Sequence, residues 1–449
     1  MLTPTDNELL TRVSAGTPMG ELMRRYWIPA LLPTELPKAD CPPIRLRLLG
    51  EDLVAWRDTT GRVGMMKESC PHRGASMFFG RNEEAGLRCV YHGWKFDTSG
   101  ACVDMPNEPA ESNFKHKIKA AAYPCQEQGG IVWVYMGAAE LQPPLPEHAC
   151  NLLPAEHSKP WKRHQASNWM QALEGGIDPG HAAFLHSKRG GPDRSGPFLF
   201  NRLMAQEIEA HVHVLEEEYG VLIATRRNYI DGDDGDYWRT NVFLFPFYTM
   251  VGNFGSSPYV RWSAWIPMDD ENTMRWQAET DPVVPILKND GWVTGRQARG
   301  GTAAERIEDM QVEALEPPSH KPGSPFRTIP NKDNDYLQDR AAQKTWNYTG
   351  MTTANVEDQA VTESMGAIYT RHREHLGTTD LGIIATRKAL LRAAKALRDH
   401  GTVPRGVNEP GVYTVTASNV VLPKGAGWAE GVREATRVKP GAYHKMVSL

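Results

Sequence analysis

At 449 residues, 40% hydrophobic and 23% charged, the chain has a globular composition and enough length for two or three domains. A net charge of −4 points away from nucleic-acid and membrane-surface partners, and no apolar run approaches the ~20 residues that span a bilayer. Six cysteines are too few for a disulfide scaffold, and an N-terminus without a basic region and apolar stretch (MLTPTDNELLTRV) fits a cytoplasmic location.

Residues 1–37 read as N-terminal helices packing on the larger domain. Thr5 with Glu8 forms a capping box, and Thr17-Pro18 supplies an N-cap followed by proline at the first helical position. Residues 38–150 read as a small β domain. There IRLRLLGEDLVAWRDTTGRVGMM alternates and breaks at Gly50 and at Thr60-Gly61, GIVWVYMG at 130–137 closes the stretch, and LQPPLPEH at 141–148 is a linker. Residues 151–449 mix classes. Trp169 to Leu185 has helical spacing interrupted by Gly175-Gly176, and YWRTNVFLFPFYTMV and YVRWSAWIPM are strand candidates. Residues 285–350 are irregular and Pro/Gly-rich, as an active-site cover would be. Two helices are predicted at 356–375 and 380–399, the second with Asp380 as N-cap and Gly401 after its end. The fold class is α+β: a small all-β domain, then a larger domain with an antiparallel sheet packed by helices.

Two short clusters each pair a thiol with an imidazole, Cys70-Pro71-His72 and Cys89-Val90-Tyr91-His92. A zinc finger groups like with like, so zinc gains nothing from this mixed order. A two-iron cluster does: Cys70 and Cys89 on one iron, His72 and His92 on the other, the imidazoles raising the reduction potential. Gly74, Gly93 and Gly100 let the loops approach the sulfides closely.

A second group lies in NWMQALEGGIDPGHAAFLH, with Glu174, Asp178, His181 and His186. Two imidazoles and a carboxylate on one face make a non-haem Fe(II) site with open positions. Five residues apart, His181 and His186 point about 140° apart on a regular helix, so a shared metal needs an irregular turn there, such as a π-type turn. On spacing alone the pair is as readily core histidines, and Asp178 before Pro179 is a good N-cap.

CPHRG and CVYHGWKFDTSG resemble the Rieske [2Fe–2S] motif of the Rieske non-haem iron oxygenases. DPGHAAFLH is similar to that family's iron-binding segment, which implies His181 and His186 as ligands. NVEDQAVTESMG at 355–366 resembles the stretch that supplies the third, which implies Asp358, with Glu357 its competitor and a solvated helix turn the plain alternative. Asp178 matches the family's bridging aspartate, which implies a relay from His92 through Asp178 to His181 across a subunit interface. It also implies a homotrimer or a stacked pair of trimers. The domains then read as a Rieske domain at 38–150 and a catalytic mononuclear iron domain at 151–449.

LTRVSAGTPMGELMRRYWIPALLPTEL and NDYLQDRAAQK look like the phthalate-dioxygenase-like branch, whose members often act on aromatic carboxylates. The resemblance implies an oxygenase subunit that cis-dihydroxylates a phthalate isomer or substituted benzoate. A monooxygenase or O-demethylase of an aromatic acid is the alternative, and a Rieske electron carrier or a zinc-stabilised binding protein the different-class ones. No G-x-G-x-x-G or plant-type ferredoxin spacing is present, so NAD(P)H enters indirectly, through a separate flavin- or ferredoxin-type reductase. An arginine fork suits a carboxylate. Arg202, Arg226, Arg227, Arg239 and Arg261 are candidates, though a salt-bridged arginine is the plainer reading of each, and at most one of the adjacent Arg226 and Arg227 points inward. Leu244, Phe245, Phe247 and Val251 suit pocket walls or core equally. Cys41, Cys102, Cys125 and Cys150 read as packed residues.

Overall fold

The computed structural model describes residues 2–109, 111–188, 199–229, 234–252, 260–281 and 315–438. Two capped helices start the chain. The first, α1 (Pro4–Thr11), begins on Thr3, whose hydroxyl accepts from Asp6 N at 3.0 Å. The cap is thus two residues earlier than the expected Thr5, because Pro4 is already suited to the first helical position. The second, α2 (Pro18–Met23), begins on Thr17 as expected.

Among the described residues ten short strands follow: β1 (Trp27–Leu31), β2 (Ile44–Leu48), β3 (Glu51–Arg57), β4 (Val63–Lys67), β5 (Arg81–Glu83), β6 (Gly86–Arg88), β7 (Lys95–Phe96), β8 (Cys102–Asp104), β9 (Cys125–Gln128) and β10 (Ile131–Tyr135). They form three antiparallel sheets, β1-β10-β9, β2-β3-β4 and β5-β6-β7-β8. Only helices were expected before residue 38, yet β1 is fully buried and pairs with β10, Trp27 opposite Tyr135. The β architecture therefore starts inside the segment read as helical.

The larger part is built on β11 (Ser158–Gln165), β12 (His211–Glu217), β13 (Gly220–Asn228), β14 (Gly235–Leu244), β15 (Tyr248–Val251), β16 (Val260–Pro267), β17 (Thr273–Thr280) and β18 (Asn419–Pro423). The sheet order is β11-β17-β16-β15-β14-β13-β12, antiparallel throughout, with β18 added on β14. Its helices are α3 (Ala149–Leu152), α4 (Trp169–Ile177), α5 (Leu199–Gln206), α6 (Arg340–Thr345), α7 (Ala354–Ser364), α8 (Leu381–His400) and α9 (Trp428–Thr436). Helix α8 ends on Gly401 in the left-handed region, as expected, but Asp380 accepts from Gly377 N at 2.6 Å instead of capping it. The helix expected over 356–375 stops at Ser364, and the chain turns through Gly366 at φ +93° to a short 3₁₀ turn at Arg371–Arg373. Of the expected cover at 285–350, residues 285–314 lie outside the described residues; 315–350 hold α6 between irregular turns.

Gly175 and Gly176 do not interrupt α4, and Gly176 lets it pack. A Cβ on Gly176 would sit 2.5 Å from the Trp265 ring on β16, and one on Gly175 would sit 3.4 Å from Thr362 on α7. One core runs from α1 and α2 through β1 and β10 into the large sheet. A second, smaller core of Val54, Trp56, Met66, Leu87, Trp94 and Phe96 lies under the two Cys/His loops.

Candidate metal centres

The two Cys/His loops are built alike. In each, the cysteine carbonyl accepts from a glycine N–H four residues on, Gly74 to Cys70 at 2.9 Å and Gly93 to Cys89 at 3.0 Å. Both glycines have positive φ, +75° and +78°, and a Cβ on Gly93 would meet Pro106 at 2.7 Å, so glycine is needed there. The loops lie side by side. Cys70 and Cys89 are buried, and the His72 and His92 rings stand 4.3 Å apart at 71°. His72 stacks on Trp94, whose indole N–H is held by Asn107 at 2.8 Å.

These residues fit a Rieske cluster. Burial, with Cys89 alongside, pushes the Cys70 thiol up to about 11, so a thiolate there calls for a cation to take the proton's place. Burial, His72 and Arg73 hold His92 below its usual range, in the neutral form that ligates. His72 Nδ1 is buried with no hydrogen-bond partner among the described residues, an orphan that a metal would satisfy. His92 sits at an exposed rim beside Val90 (58% exposed) and Tyr91 (56%).

The second group gathers at the end of α4. Asn168 starts this helix, accepting from Met170 N and donating to Thr11 O and Asp270 O. It ends at Asp178, which is extended because the next residue is proline. Asp178 is therefore a C-cap, not the N-cap that its position before Pro179 suggested. The awkward five-residue spacing of the histidines is resolved without a π-type turn: the α-helix stops, and His181 opens a 3₁₀ turn, His181–Ala183, with His186 in the turns beyond. The rings come to 5.1 Å at 83°.

From far along the chain, α7 brings Asp358 to this pair. Its Oδ1 lies 3.1 Å from His186 Nε2 and 3.6 Å from His181 Nε2, and the three donor atoms fall within 4.8 Å of one another. Each imidazole has a carboxylate behind it, on Nδ1. Asp178 Oδ2 faces His181 at 3.2 Å, while its Oδ1 accepts from Gly180 N at 2.7 Å. Glu357 Oε2 faces His186 at 2.7 Å. Burial disfavours a charged His186, yet Asp358 and Glu357 outweigh it and push its pKa up to about 10. Burial likewise opposes ionised Asp358, but His186, His181 and Arg275 hold it well below the usual carboxylate range. A pocket that draws a proton so strongly suits a cation, and two imidazoles with one carboxylate are the donor set of a non-haem Fe(II) site. Glu174, also considered from the sequence, points elsewhere, into a buried ion pair with Arg371 and Arg387.

The candidate substrate arginines scatter. Arg226 pairs with Asp236 at 3.0 Å and Arg261 with Glu279 at 3.2 Å. Arg202 is half-buried on α5, and buried Arg227 donates to Glu207 O at 3.0 Å. Arg239 is buried on β14, donating to Gly252 O at 2.8 Å, with its guanidinium 4.3 Å from the Phe200 ring centroid. Its neighbour Asn241 reaches Ile177 O at the end of α4. Leu244, Phe245 and Phe247 belong to the main core. Cys41, Cys102 and Cys150 are buried and Cys125 half-buried. No helix among the described residues is long and apolar enough to cross a membrane. Sequence reasoning did not find Thr349, which donates to Glu357, or Arg275, whose charge acts on Asp358; neither sits in a motif.

Known families and relatives match this architecture. A Rieske [2Fe–2S] domain matches residues 26–124, and the domain described as LigXa C-terminal domain like matches 134–294 and 320–445. The 3-chlorobenzoate-3,4-dioxygenase oxygenase subunit of Comamonas testosteroni is 39% identical, over 94% of this chain and 96% of that one. The phthalate 4,5-dioxygenase oxygenase subunit of Pseudomonas putida is 35% identical, over 96% and 94%. In fold, the crystal structure of dicamba monooxygenase bound to dicamba superposes with a TM-score of 0.55 over 84% of this chain and 98% of that one, at 18% identity. The chain belongs to the Rieske non-haem iron oxygenases: it is an oxygenase (alpha) subunit that works with a Rieske [2Fe–2S] cluster and a mononuclear iron.

Proposed function

We propose that this oxygenase subunit adds both atoms of dioxygen to the ring of an aromatic carboxylate, a phthalate isomer or substituted benzoate, giving a cis-dihydrodiol. The observation that carries this reading is the convergence of His181 Nε2, His186 Nε2 and Asp358 Oδ1, each histidine backed by its own carboxylate. The substrate class rests on the benzoate and phthalate dioxygenase relatives, which align along nearly the whole chain.

Cys70, His72, Cys89 and His92 would hold the cluster, and His181, His186 and Asp358 the mononuclear iron. When bound, the cluster supplies electrons singly and the iron supplies the redox centre for dioxygen. The chain's own residues prepare that chemistry. Asp178 keeps a proton on Nδ1 of His181 and turns its Nε2 toward Asp358. Asp178 also serves as the bridge from a neighbouring subunit's cluster. The candidate anchors for the substrate carboxylate are Arg202, Arg226, Arg239 and Arg261, of which Arg226 pairs with Asp236 and Arg261 with Glu279 in this structure. The working protein is a homotrimer or stacked hexamer in the cytoplasm, loaded by a separate NAD(P)H-dependent reductase of flavin or ferredoxin type.

The test is substrate-dependent oxygen uptake with a surrogate reductase, screening 3-chlorobenzoate, the phthalate isomers and methoxybenzoates. Labelled dioxygen should leave two label atoms in the product. One label atom, or loss of a methyl group, would assign the chain to the monooxygenases instead. A response to neutral arenes alone would remove the carboxylate assignment. Replacing the candidates one at a time (Arg202→Gln, Arg226→Gln, Arg239→Gln, Arg261→Gln) tests the anchor: the arginine that holds the acid is expected to raise its KM about tenfold or more when neutralised, the loss of a charge-assisted hydrogen bond.

A further inference from the structure

Glu357 stands one residue before Asp358, so in sequence the two read as rivals for one metal position. The geometry separates them. Glu357 Oε2 meets His186 Nδ1 at 2.7 Å, while Asp358 Oδ1 lies 3.1 Å from Nε2 on the other side of the same ring. Successive helical residues point about 100° apart. One turn of α7 therefore reaches both nitrogens of one imidazole.

The other Glu357 oxygen is also engaged. Thr349 Oγ1 donates to Oε1 at 2.5 Å, and the same hydroxyl accepts from Met351 N at 3.1 Å. The Thr349 turn is fastened to the histidine segment, since Tyr348 N donates to Ser187 O at 3.0 Å. Glu357 is only 4% exposed. Asp178, by contrast, has a quarter of its side chain exposed and stands farther from its histidine, at 3.2 Å. The two imidazoles are held unequally, and the tighter hold is on His186.

A neutral histidine carries one N–H and one lone pair, and the hydrogen bond made by one nitrogen decides what the other offers. We propose that Glu357 is a positioning residue of the mononuclear iron site and not a ligand. With Thr349 behind it, Glu357 keeps the His186 proton on Nδ1 and offers the Nε2 lone pair to the metal. The inference rests on reading His181, His186 and Asp358 as that site.

The test uses the full chain with its cluster intact. The mononuclear iron is removed with a chelator, Fe(II) is titrated back anaerobically, and the ferrous site is read by electron paramagnetic resonance with nitric oxide as probe. Glu357→Ala is expected to weaken Fe(II) binding about 10–100-fold while the cluster absorption stays. Glu357→Gln keeps an acceptor for Nδ1–H and should recover most of that loss. Thr349→Val should shift binding the same way by less. Glu357→Ala with wild-type Fe(II) affinity overturns the proposal, whether or not its melting temperature falls. Asp358→Ala separates this from the underlying site, since it should reduce the protein from about three irons per chain to about two. If Asp358→Ala keeps the third iron and Glu357→Ala loses it, Glu357 is the ligand and the proposal falls. If both variants keep it with unaltered affinity, the site reading falls as well.

Discussion

His148 is wholly buried among Trp133, Tyr248, Trp262 and Tyr413, and neither ring nitrogen has a hydrogen-bond partner among the described residues. Burial drops its pKa to about 3. The folded protein therefore refuses a proton that the unfolded chain accepts below about 6.5. The contribution is absent above that value and becomes a loss of stability as the pH falls toward 3. Between pH 7 and 5 the native protein should lose about 2 kcal/mol more than His148→Phe does. Urea unfolding followed by tryptophan fluorescence at several pH values measures that difference in slope; equal slopes would refute it. The sequence offers no hint of such a residue, because His148 sits in a proline-rich stretch that reads as linker. The metal-type residues were far more legible. Cysteine and histidine in two tight clusters have few other uses, whereas Thr349 is one threonine among many until the fold sets it against Glu357.

At the scale of elements, α4 shows what sequence spacing can and cannot give. Its start at Asn168 and its halt before Pro179 follow local rules. Its place does not. Glu174 accepts from Arg371 at 3.0 and 3.1 Å and from Arg387 at 2.6 Å; Arg387 also binds Glu374, and Arg371 reaches Asn7 on α1 at 3.1 Å. Two acids and two arginines cancel in charge, and they tie α4 to α1, α8 and the Arg371 turn. These partners lie about two hundred residues apart in the chain, so no window of sequence reveals them. Removing Glu174 leaves buried Arg371 with Asn7 and no carboxylate, and buried Arg387 with Glu374 alone. Glu174→Gln should cost about 3 kcal/mol in urea unfolding. Adding Arg387→Met should recover part of that loss, because the pair is coupled. Additive losses in the double variant would mean that the network is not one unit. The helix expected through residue 375 fails for a related reason: the chain must leave α7 early to bring Arg371 back to Glu174.

For the whole molecule, the question is whether electrons stay within a chain. Asp178 faces its own His181, and His92 opens at a rim with exposed Val90 and Tyr91. The His92 end of the proposed relay lies at the surface, and a quarter of the Asp178 side chain is exposed, so both can be reached by another copy. A head-to-tail interface that closes makes a ring, in which every cluster serves its neighbour's iron. Two inactive variants then make a decisive pair. Cys89→Ala removes the cluster and leaves the Asp358 site; Asp358→Ala does the reverse. Either alone should be inactive with reductase and substrate. If the protein is such a ring, co-expression in equal amounts gives mixed assemblies. Half the chains keep a competent iron site, and half of those have a neighbour with a working cluster. About a quarter of the native activity per chain should return, as random filling of a closed ring requires. Transfer confined to single chains predicts none, since no chain in the mixture holds both centres. Asp178→Asn added to the cluster-deficient variant should lower the restored rate about 10–100-fold, because that chain supplies the accepting side of the bridge. Added instead to the iron-deficient variant it should change nothing, and that asymmetry fixes the direction of the relay.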